Sequence, residues 1–153
     1  MAEIVVRPAR REDFPAIREL IHTVRINPTG LDWRRFLIAV GPEDEFVGCG
    51  QIKPHTDGSR ELASIAVRPE FRGRGAARLI IEALLEHETS RPLYLMCRAL
   101  LTPLYARFGF VNVGEPDLPR YFRRLKRLEG LFNATAAPED RLAIMRLDRG
   151  GGR

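Results

Sequence analysis

The sequence predicts an α/β fold, with one mixed and mostly antiparallel central sheet flanked by helices. Short β-type runs alternate with segments of helical periodicity, in the order βα, a β-meander, βαβα and a final strand pair that holds an inserted helix. No repeat, linker or domain boundary divides the 153 residues, of which 44% are hydrophobic and 29% are charged. We therefore expect a single domain over residues 1–149, followed by a flexible tail at 150–153.

The seven strands are predicted from β-branched, aromatic and aliphatic runs that are bounded by Gly, Pro, Asn and Asp. One of these runs, at 93–97, is apolar throughout, as expected for a strand that is covered on both faces. The expected strands are 4–7, 36–40, 46–52, 61–67, 93–97, 110–113 and 142–147.

Four helices are predicted from apolar residues that recur at helical spacing. Asp13 immediately precedes the first helix and is expected to be its N-cap. The expected helices are 14–24, 76–87, 101–108 and 118–132.

Charge and cysteine usage exclude several classes of protein. The net charge of +5, from 25 Lys and Arg against 20 Asp and Glu, permits phosphate or acidic partners without requiring them. Cys49 and Cys97 lie far apart in hydrophobic runs and the three histidines are scattered, so we expect buried, reduced thiols and no metal site. The N-terminus reads directly into a strand, and no apolar run has the length of a membrane span. A cytoplasmic protein without a membrane partner is expected.

The most informative segment leads from the fourth strand into the second helix and reads AVRPEFRGRGAAR over residues 66–78. Its glycines let the backbone approach an anion, while its arginines and the free N–H groups of the first helical turn attract phosphate. A Walker A loop would need Lys and Ser or Thr after its second glycine, and a dinucleotide-binding turn would need a third glycine where Arg78 stands. A pyrophosphate-bearing ligand of another kind is predicted.

This segment resembles motif A of the GNAT superfamily of acyl-CoA-dependent N-acetyltransferases. The motif has Arg or Gln, two variable residues, Gly, one variable residue and then Gly or Ala, which Arg72, Gly75 and Ala77 match. The order of elements over nearly the whole chain also agrees with a GNAT-like fold. The alternative interpretation is a capped helix after a glycine-rich turn, with arginines that are merely solvated.

The resemblance implies that acetyl-CoA is the co-substrate and that no metal takes part. It implies that a bulged strand offers main-chain groups to the pantetheine arm, and that the following turn holds the pyrophosphate. The residues implied in cofactor binding are Ile65, Ala66, Val67, Arg72, Gly73, Arg74, Gly75, Ala76, Ala77 and Arg78.

Two catalytic residues are suggested by the same resemblance. Tyr105 begins a match to the family segment Tyr-x-x-x-Gly-Phe, whose tyrosine often protonates the CoA thiolate; the alternative is a half-buried core tyrosine. Glu61 opens the fourth strand, where some histone-type members carry a general-base glutamate. The alternatives are a solvated strand-end residue paired with Arg60 and an ordered water as base. Ser64 is a further substrate-side or water-ordering candidate.

The expected reaction moves an acetyl group from acetyl-CoA to the primary amine of a small-molecule acceptor, by direct attack in a ternary complex. A protein lysine or N-terminal amine is the alternative acceptor. A different class of function is a non-catalytic module that senses CoA or binds nucleic acid through the arginine-rich helix at 118–132.

Nucleic acid is not the expected partner, because the chain carries no RNA-binding aromatic motif and no recognition-helix pair. The cations of that helix are better explained as a solvated face, and Tyr121 and Phe122 as either core or acceptor-pocket residues. The resemblance is also compatible with a homodimer.

Overall fold

The computed structural model describes residues 3–132 and 135–148, and these form a single mixed sheet of seven strands flanked by four α-helices. The predicted α/β class is thus confirmed, while the predicted tail at 150–153 lies outside the described residues. The strands are β1 (Val5–Pro8), β2 (Phe36–Val40), β3 (Phe46–Pro54), β4 (Arg60–Val67), β5 (Leu93–Arg98), β6 (Val111–Asn112) and β7 (Leu142–Leu147). The helices are α1 (Phe14–Thr23), α2 (Ala76–His87), α3 (Thr102–Ala106) and α4 (Arg120–Phe132).

The chain divides into two compact units. The first contains the described residues of Met1–Lys53 together with Leu62–Thr89, and the second contains Pro54–Glu61 with those of Ser90–Arg153. In the first unit β2 pairs antiparallel with both β1 and β3. In the second unit β7 pairs antiparallel with both β5 and β6.

The core of the first unit forms where helix α1 packs its apolar face. Ile17, Leu20 and Ile21 recur at helical spacing and are buried. Each of these side chains stabilises the fold by about 1.5–3 kcal/mol when it is removed from water. Their cluster continues into the strands through Phe36, Ile38, Val40, Cys49 and Ala66.

Helix α2 lies close to strand β3 at a glycine. A Cβ atom at Gly50 would lie 2.6 Å from the side chain of Ile65 and 2.7 Å from that of Ile80, so a larger residue would force these side chains to shift. Ile80, Ile81 and Leu84 are buried along the same helix. This packing joins the middle of α2 to the sheet.

The core of the second unit surrounds the first turn of α4. The Phe122 side chain is fully buried and stacks on Tyr94 of β5, with ring centroids 5.1 Å apart. Leu118 and Ile144 complete this cluster. The aromatic contact therefore anchors the N-terminal end of the helix, while the opposite end exposes Leu131 and Phe132.

The predicted N-cap of α1 has a different role. Asp13 occupies the N-cap position, but its side chain does not cap the helix. Its carboxylate accepts hydrogen bonds from the Arg7 guanidinium at 2.9 and 3.2 Å and from the Arg10 N–H at 2.7 Å. The Asp13 side chain therefore joins β1 to the segment that precedes the helix.

Several predicted bounds differ from the structure by one or two residues, and three of these differences have a clear physical cause. The helix expected at 101–108 is only Thr102–Ala106, because a separate 3₁₀ turn occupies Ala99–Leu101. The strand expected at 110–113 is only Val111–Asn112, since Phe110 is buried in the interior instead of pairing. The helix expected from Leu118 begins at Arg120, because Leu118 is extended.

Both thiols are free and buried, as expected. Burial raises the pKa of Cys49 to about 12 and that of Cys97 to about 11, so both remain protonated at neutral pH. Among the described residues, no helix has the length and apolar character needed to cross a membrane. Within the same residues, no three His, Cys, Asp or Glu side chains are grouped so as to hold a metal ion.

Candidate active site

The turn that precedes α2, residues 68–75, exposes main-chain donors. We call it the α2 turn. Gly73 and Gly75 both have a φ of +81°, a conformation that favours glycine, and open space surrounds the position of a Cβ atom at each. The first main-chain bond of the helix runs from the Leu79 N–H to the Gly75 carbonyl, and no side chain of the described residues caps α2. The N–H groups of the first helical turn are therefore left for an external acceptor.

The arginines of this region differ in how they are held. Arg68 is fixed by the Phe46 carbonyl at 3.1 Å and by Glu70 at 2.8 Å. Arg74 lies over the Phe71 ring, with its guanidinium carbon 5.5 Å from the centroid. The other two are exposed: Arg78 makes an i,i+4 pair with Glu82 at 3.4 Å, and Arg72 extends from the turn. Surface pairs of this kind are weak, so these cations can reorient toward an anionic ligand.

Strand β4 is irregular immediately before the three residues implied in pantetheine binding. Ser64 has a φ of +59°, which is uncommon for a residue other than glycine, and Ile65 follows it directly. The Ser64 hydroxyl accepts a hydrogen bond from Gln51 Nε2 at 2.8 Å, and its carbonyl oxygen lies 3.5 Å from the Cys49 sulfur. The bulge expected from the resemblance is compatible with this geometry.

Gln51 itself is fully buried on β3. Its side chain also donates to the Gly30 carbonyl at 3.4 Å, whereas its Oε1 atom has no hydrogen-bond partner among the described residues. A buried acceptor without a partner costs about 1–3 kcal/mol, so a donor on a bound ligand or water would relieve a penalty at this position.

Tyr105 lies on α3 and is half-buried. Burial raises the pKa of its phenol to about 12, and the nearby Cys97 adds to the shift. Its ring meets Phe110 edge to face, with centroids 6.4 Å apart. A phenol with this pKa stays protonated over the whole physiological range, and this is the state that a general acid requires.

Glu61 is buried, with only 3% of the residue exposed. The alternative of a solvated residue at the strand end is therefore wrong. One carboxylate oxygen, Oε1, lies 2.8 Å from His55 Nε2, and both side chains are largely shielded from water. A buried carboxylate with a fixed hydrogen bond is a suitable proton acceptor, because its orientation is set before the substrate arrives.

Residues from the β3–β4 hairpin and from α4 surround this pair. We call the group the His55–Glu61 cluster; it consists of His55, Asp57, Glu61, Tyr121 and Phe122. The Tyr121 ring stacks on the His55 ring with centroids 3.6 Å apart. Burial raises the pKa of Tyr121, and the Glu61 carboxylate raises it further. The Tyr121 N–H donates to Asp57 Oδ2 at 2.9 Å, which secures the start of α4.

Neither His55 nor Asp57 carries a sequence signal of a functional site. The turn signal at 56–59 would bring position 55 close to 60 and 61 in a hairpin, but nothing local indicates that Tyr121 closes over them. The structure distinguishes the roles of Tyr121 and Phe122. Phe122 is a core residue at the base of the His55–Glu61 cluster, whereas Tyr121 stacks directly on His55.

The predicted residues thus fall into two groups. The cofactor candidates from Ile65 to Arg78 share the first unit, and Glu61 and Tyr105 belong to the second. No hydrogen bond joins Glu61 to Tyr105 within the described residues, so each is positioned by its own neighbours.

The cations of α4 are mostly engaged within the second unit. Arg123 donates to the Leu118 carbonyl at 2.9 Å, Arg127 donates to Glu115 at 3.0 Å, and Lys126 bonds the Leu142 carbonyl. These contacts fix the helix against its surroundings. Arg120 and Arg124 are exposed, and the Arg127–Glu115 pair is exposed as well, so the helix carries both held and solvated cations.

Comparison with known proteins identifies the class. A family model described as "Acetyltransferase (GNAT) domain" matches residues 32–112, more than half of the chain. The amino-acid acetyltransferase of Mycobacterium tuberculosis (strain ATCC 25618 / H37Rv) is 31% identical over 137 residues, which cover 80% of this chain and 78% of that protein. The chain is therefore an acetyltransferase.

Solved structures agree with this class. Rv2747 from Mycobacterium tuberculosis, in complex with CoA and NLQ, is 25% identical with a TM-score of 0.71, over 94% of this chain and 98% of the other. N-acetylglutamate synthase from Neisseria gonorrhoeae, complexed with coenzyme A and N-acetyl-glutamate, shares the fold at 19% identity and a TM-score of 0.73. The match covers 97% of this chain and 36% of the other. More particularly, the chain belongs to the GNAT superfamily.

Proposed function

We propose that this protein transfers the acetyl group of acetyl-CoA to the primary amine of a small acceptor of the amino-acid type, by direct attack in a ternary complex. The main support for acetyl-CoA as the acyl donor is the open α2 turn, with its uncapped N–H groups and its exposed arginines. Support for the acceptor class comes from the relative named as an amino-acid acetyltransferase.

Cofactor binding is assigned to the first unit. The N–H groups from Gly73 to Arg78 would hold the pyrophosphate, with Arg72 and Arg74 adding charge-assisted bonds. Main-chain groups of Ile65, Ala66 and Val67 would bind the pantetheine arm. The positive φ values of the turn glycines and the free space around them support this assignment, since the backbone can approach an anion there.

The chemical roles are assigned to the second unit. A primary amine is protonated at neutral pH and must lose a proton before it attacks, and Glu61 would accept that proton. The departing CoA sulfur must gain one, and Tyr105 would donate it, because its phenol is protonated at neutral pH.

An amino-acid acceptor is favoured over a protein lysine or N-terminal amine, because the curated relative covers most of both chains. The two free, buried thiols support a cytoplasmic location, where cysteines stay reduced.

The first experiment is thermal unfolding with and without acetyl-CoA. A ligand at about 100 times its Kd adds about 2.7 kcal/mol to the stability of the folded state, which is about 5–10 °C in Tm for a chain of this length. The shift should shrink in Arg72→Ala/Arg74→Ala. The matched control, Arg120→Ala/Arg124→Ala, removes two exposed arginines of α4 and should keep the full shift.

Release of CoA thiol should then be measured with free amino acids and with a lysine-containing peptide. Turnover with free amino acids and none with the peptide supports the proposed acceptor class. Stabilisation by acetyl-CoA without turnover of any amine would support the CoA-sensing alternative. An absence of stabilisation, together with salt-sensitive binding of nucleic acid, would overturn the proposal.

A further inference from the structure

The His55–Glu61 cluster contains more side chains than a lone base requires. His55 follows the end of β3, Glu61 lies near the start of β4, and the turn that joins them contains Asp57. Helix α4 contributes Tyr121 and Phe122 more than 60 positions further along the chain. Three segments therefore converge on one imidazole.

The imidazole is held from two directions by rings. Tyr121 stacks on it at 3.6 Å between centroids with 17° between the planes, and Phe122 meets it edge-on at 5.6 Å. Only about a tenth of the His55 side chain is exposed. A ring that is packed in this way has little rotational freedom, so its Nε2 atom is fixed in direction.

The turn is fixed as firmly as the ring. The Asp57 carboxylate accepts from the Tyr121 N–H at 2.9 Å, from the Ser59 N–H at 2.9 Å and from the Ser59 hydroxyl at 2.6 Å. Burial alone would raise the pKa of Asp57, but these bonds and the nearby His55 together hold it below its ordinary value. Asp57 therefore remains an anion and keeps the hairpin joined to α4.

We propose that His55 is a positioning residue for the acetyl transfer: its Nε2–H donates to Oε1 of Glu61 and so directs the second carboxylate oxygen, Oε2, toward the amine of the acceptor. The inference rests on the proposed function, because it gives Glu61 the role of base. The groups that face His55 are Glu61 from β4, Asp57 from the turn, and Tyr121 and Phe122 from α4.

The protons balance over one turnover. The ammonium gives one proton to Oε2 of Glu61, the freed nitrogen forms a bond to the thioester carbon, and the carbon–sulfur bond breaks. The CoA thiolate takes the phenol proton of Tyr105. The second proton that the nitrogen loses replaces that phenol proton, and the proton on Glu61 passes to solvent. His55 keeps its own proton throughout.

Two substitutions separate the hydrogen bond from the packing. His55→Phe keeps a flat ring to stack on Tyr121 but has no donor, whereas His55→Gln places an N–H donor near the Nε2 position. His87→Phe, at the exposed C-terminal end of α2, is the matched control. Circular dichroism and Tm show first that each variant is folded.

The expected result is a kcat for His55→Phe that is lower by about 10- to 100-fold, the scale of a misplaced reacting group, with little change in the KM of the acceptor. His55→Gln should recover most of the lost kcat, and His87→Phe should match wild type.

Wild-type kcat in a folded His55→Phe protein would overturn the proposal. So would a folded His55→Gln that is as slow as His55→Phe, because packing of the ring would then be the important property. Failure of the proposed function would look different: wild type would be stabilised by acetyl-CoA but would acetylate no amine.

In that case both the base role of Glu61 and the positioning role of His55 would be lost. Nuclear magnetic resonance would still test whether the His55–Glu61 hydrogen bond forms. The Nε2–H signal of His55 should appear far downfield in wild type and move upfield in Glu61→Gln. An identical signal in both proteins would show that the His55–Glu61 hydrogen bond does not form.

Discussion

The α2 turn and the His55–Glu61 cluster present polar groups in different ways. The turn is exposed and relies on main-chain N–H groups, with two glycines in a left-handed conformation. The cluster is buried and relies on side chains from three segments. Main-chain donors need only a particular local sequence, whereas a buried pair of side chains needs long-range packing to hold it. The turn should therefore tolerate changes elsewhere in the chain, while the cluster should depend on α4.

The largest effect is expected from Glu61→Gln, which removes the proton acceptor but keeps the size of the side chain and one oxygen near His55. General-base catalysis contributes about 100- to 10,000-fold, so kcat should fall by about 100-fold or more, while binding of acetyl-CoA is unchanged. Initial rates of CoA release and a calorimetric Kd provide the two measurements. Glu86→Gln, at an exposed position of α2, serves as the control. Wild-type turnover in Glu61→Gln would transfer the base role to water.

A smaller loss, about 10- to 100-fold in kcat, is expected for Tyr105→Phe, because solvent can replace the acid in part. The acid must be protonated to act, and its pKa is raised to about 12. The wild-type rate should therefore show no fall from loss of this proton up to about pH 10. The pH–rate profile is the measurement. A basic limb below pH 10 that disappears in Tyr105→Phe would contradict the raised pKa.

Two glycine substitutions distinguish a change in the α2 turn from a change in the packing of the core. Gly75→Ala forces a φ of +81° on a residue with a Cβ atom and should cost about 1–2 kcal/mol, with weaker binding of acetyl-CoA. Gly50→Ala places its Cβ against Ile65 and Ile80 and should cost about 1–3 kcal/mol through overpacking. Denaturant unfolding and a calorimetric Kd separate the two effects. A Gly75→Ala protein that is less stable but binds acetyl-CoA normally would show that the turn is structural only.

The smallest effect concerns the link from the hairpin to α4. Asp57→Ala removes the acceptor for the Tyr121 N–H and should cost about 1 kcal/mol, as loss of a helix cap does. Asp57→Asn keeps one accepting oxygen, removes the charge and replaces the second accepting oxygen with an NH2 group.

Folding lowers the pKa of Asp57, so its charge stabilises the protein at any pH above its pKa in the unfolded chain, which is near 4. This stabilisation is lost as the pH falls through the lower pKa that Asp57 has in the folded protein. The Tm difference between wild type and Asp57→Asn should be present at pH 6 and should disappear in acid. A difference that persists unchanged to pH 2 would assign it to geometry and not to charge.

For elements with strong local sequence signals, both the first and the last residue are predicted correctly. Strand β2, helix α2 and strand β7 have the expected bounds, since each is a clear periodic or apolar run between turn residues. Helix α3 and strand β6 were predicted too long. The start of α3 follows a separate 3₁₀ turn, and the start of β6 depends on whether Phe110 pairs in the sheet or fills the core. A local pattern does not contain the second piece of information.

The candidate site divides in the same way. The α2 turn could be found in one stretch of sequence, because its glycines and arginines are adjacent. The burial of Glu61 and its contact with His55 could not, because Tyr121 is 60 positions away from Glu61 and its approach is set by the packing of Phe122 on Tyr94. Residue type indicated a possible base, and only tertiary structure supplied its partner.

The two buried thiols offer a direct view of how each unit opens. Cys49 belongs to the first unit and Cys97 to the second, and neither is reactive while it is buried and protonated. A thiol reagent can therefore label each cysteine only during transient local unfolding. The labelling rates of Cys97→Ala and Cys49→Ala proteins under native conditions would each give the opening free energy of one unit. Repeated with acetyl-CoA, the same measurement would show which unit the ligand closes.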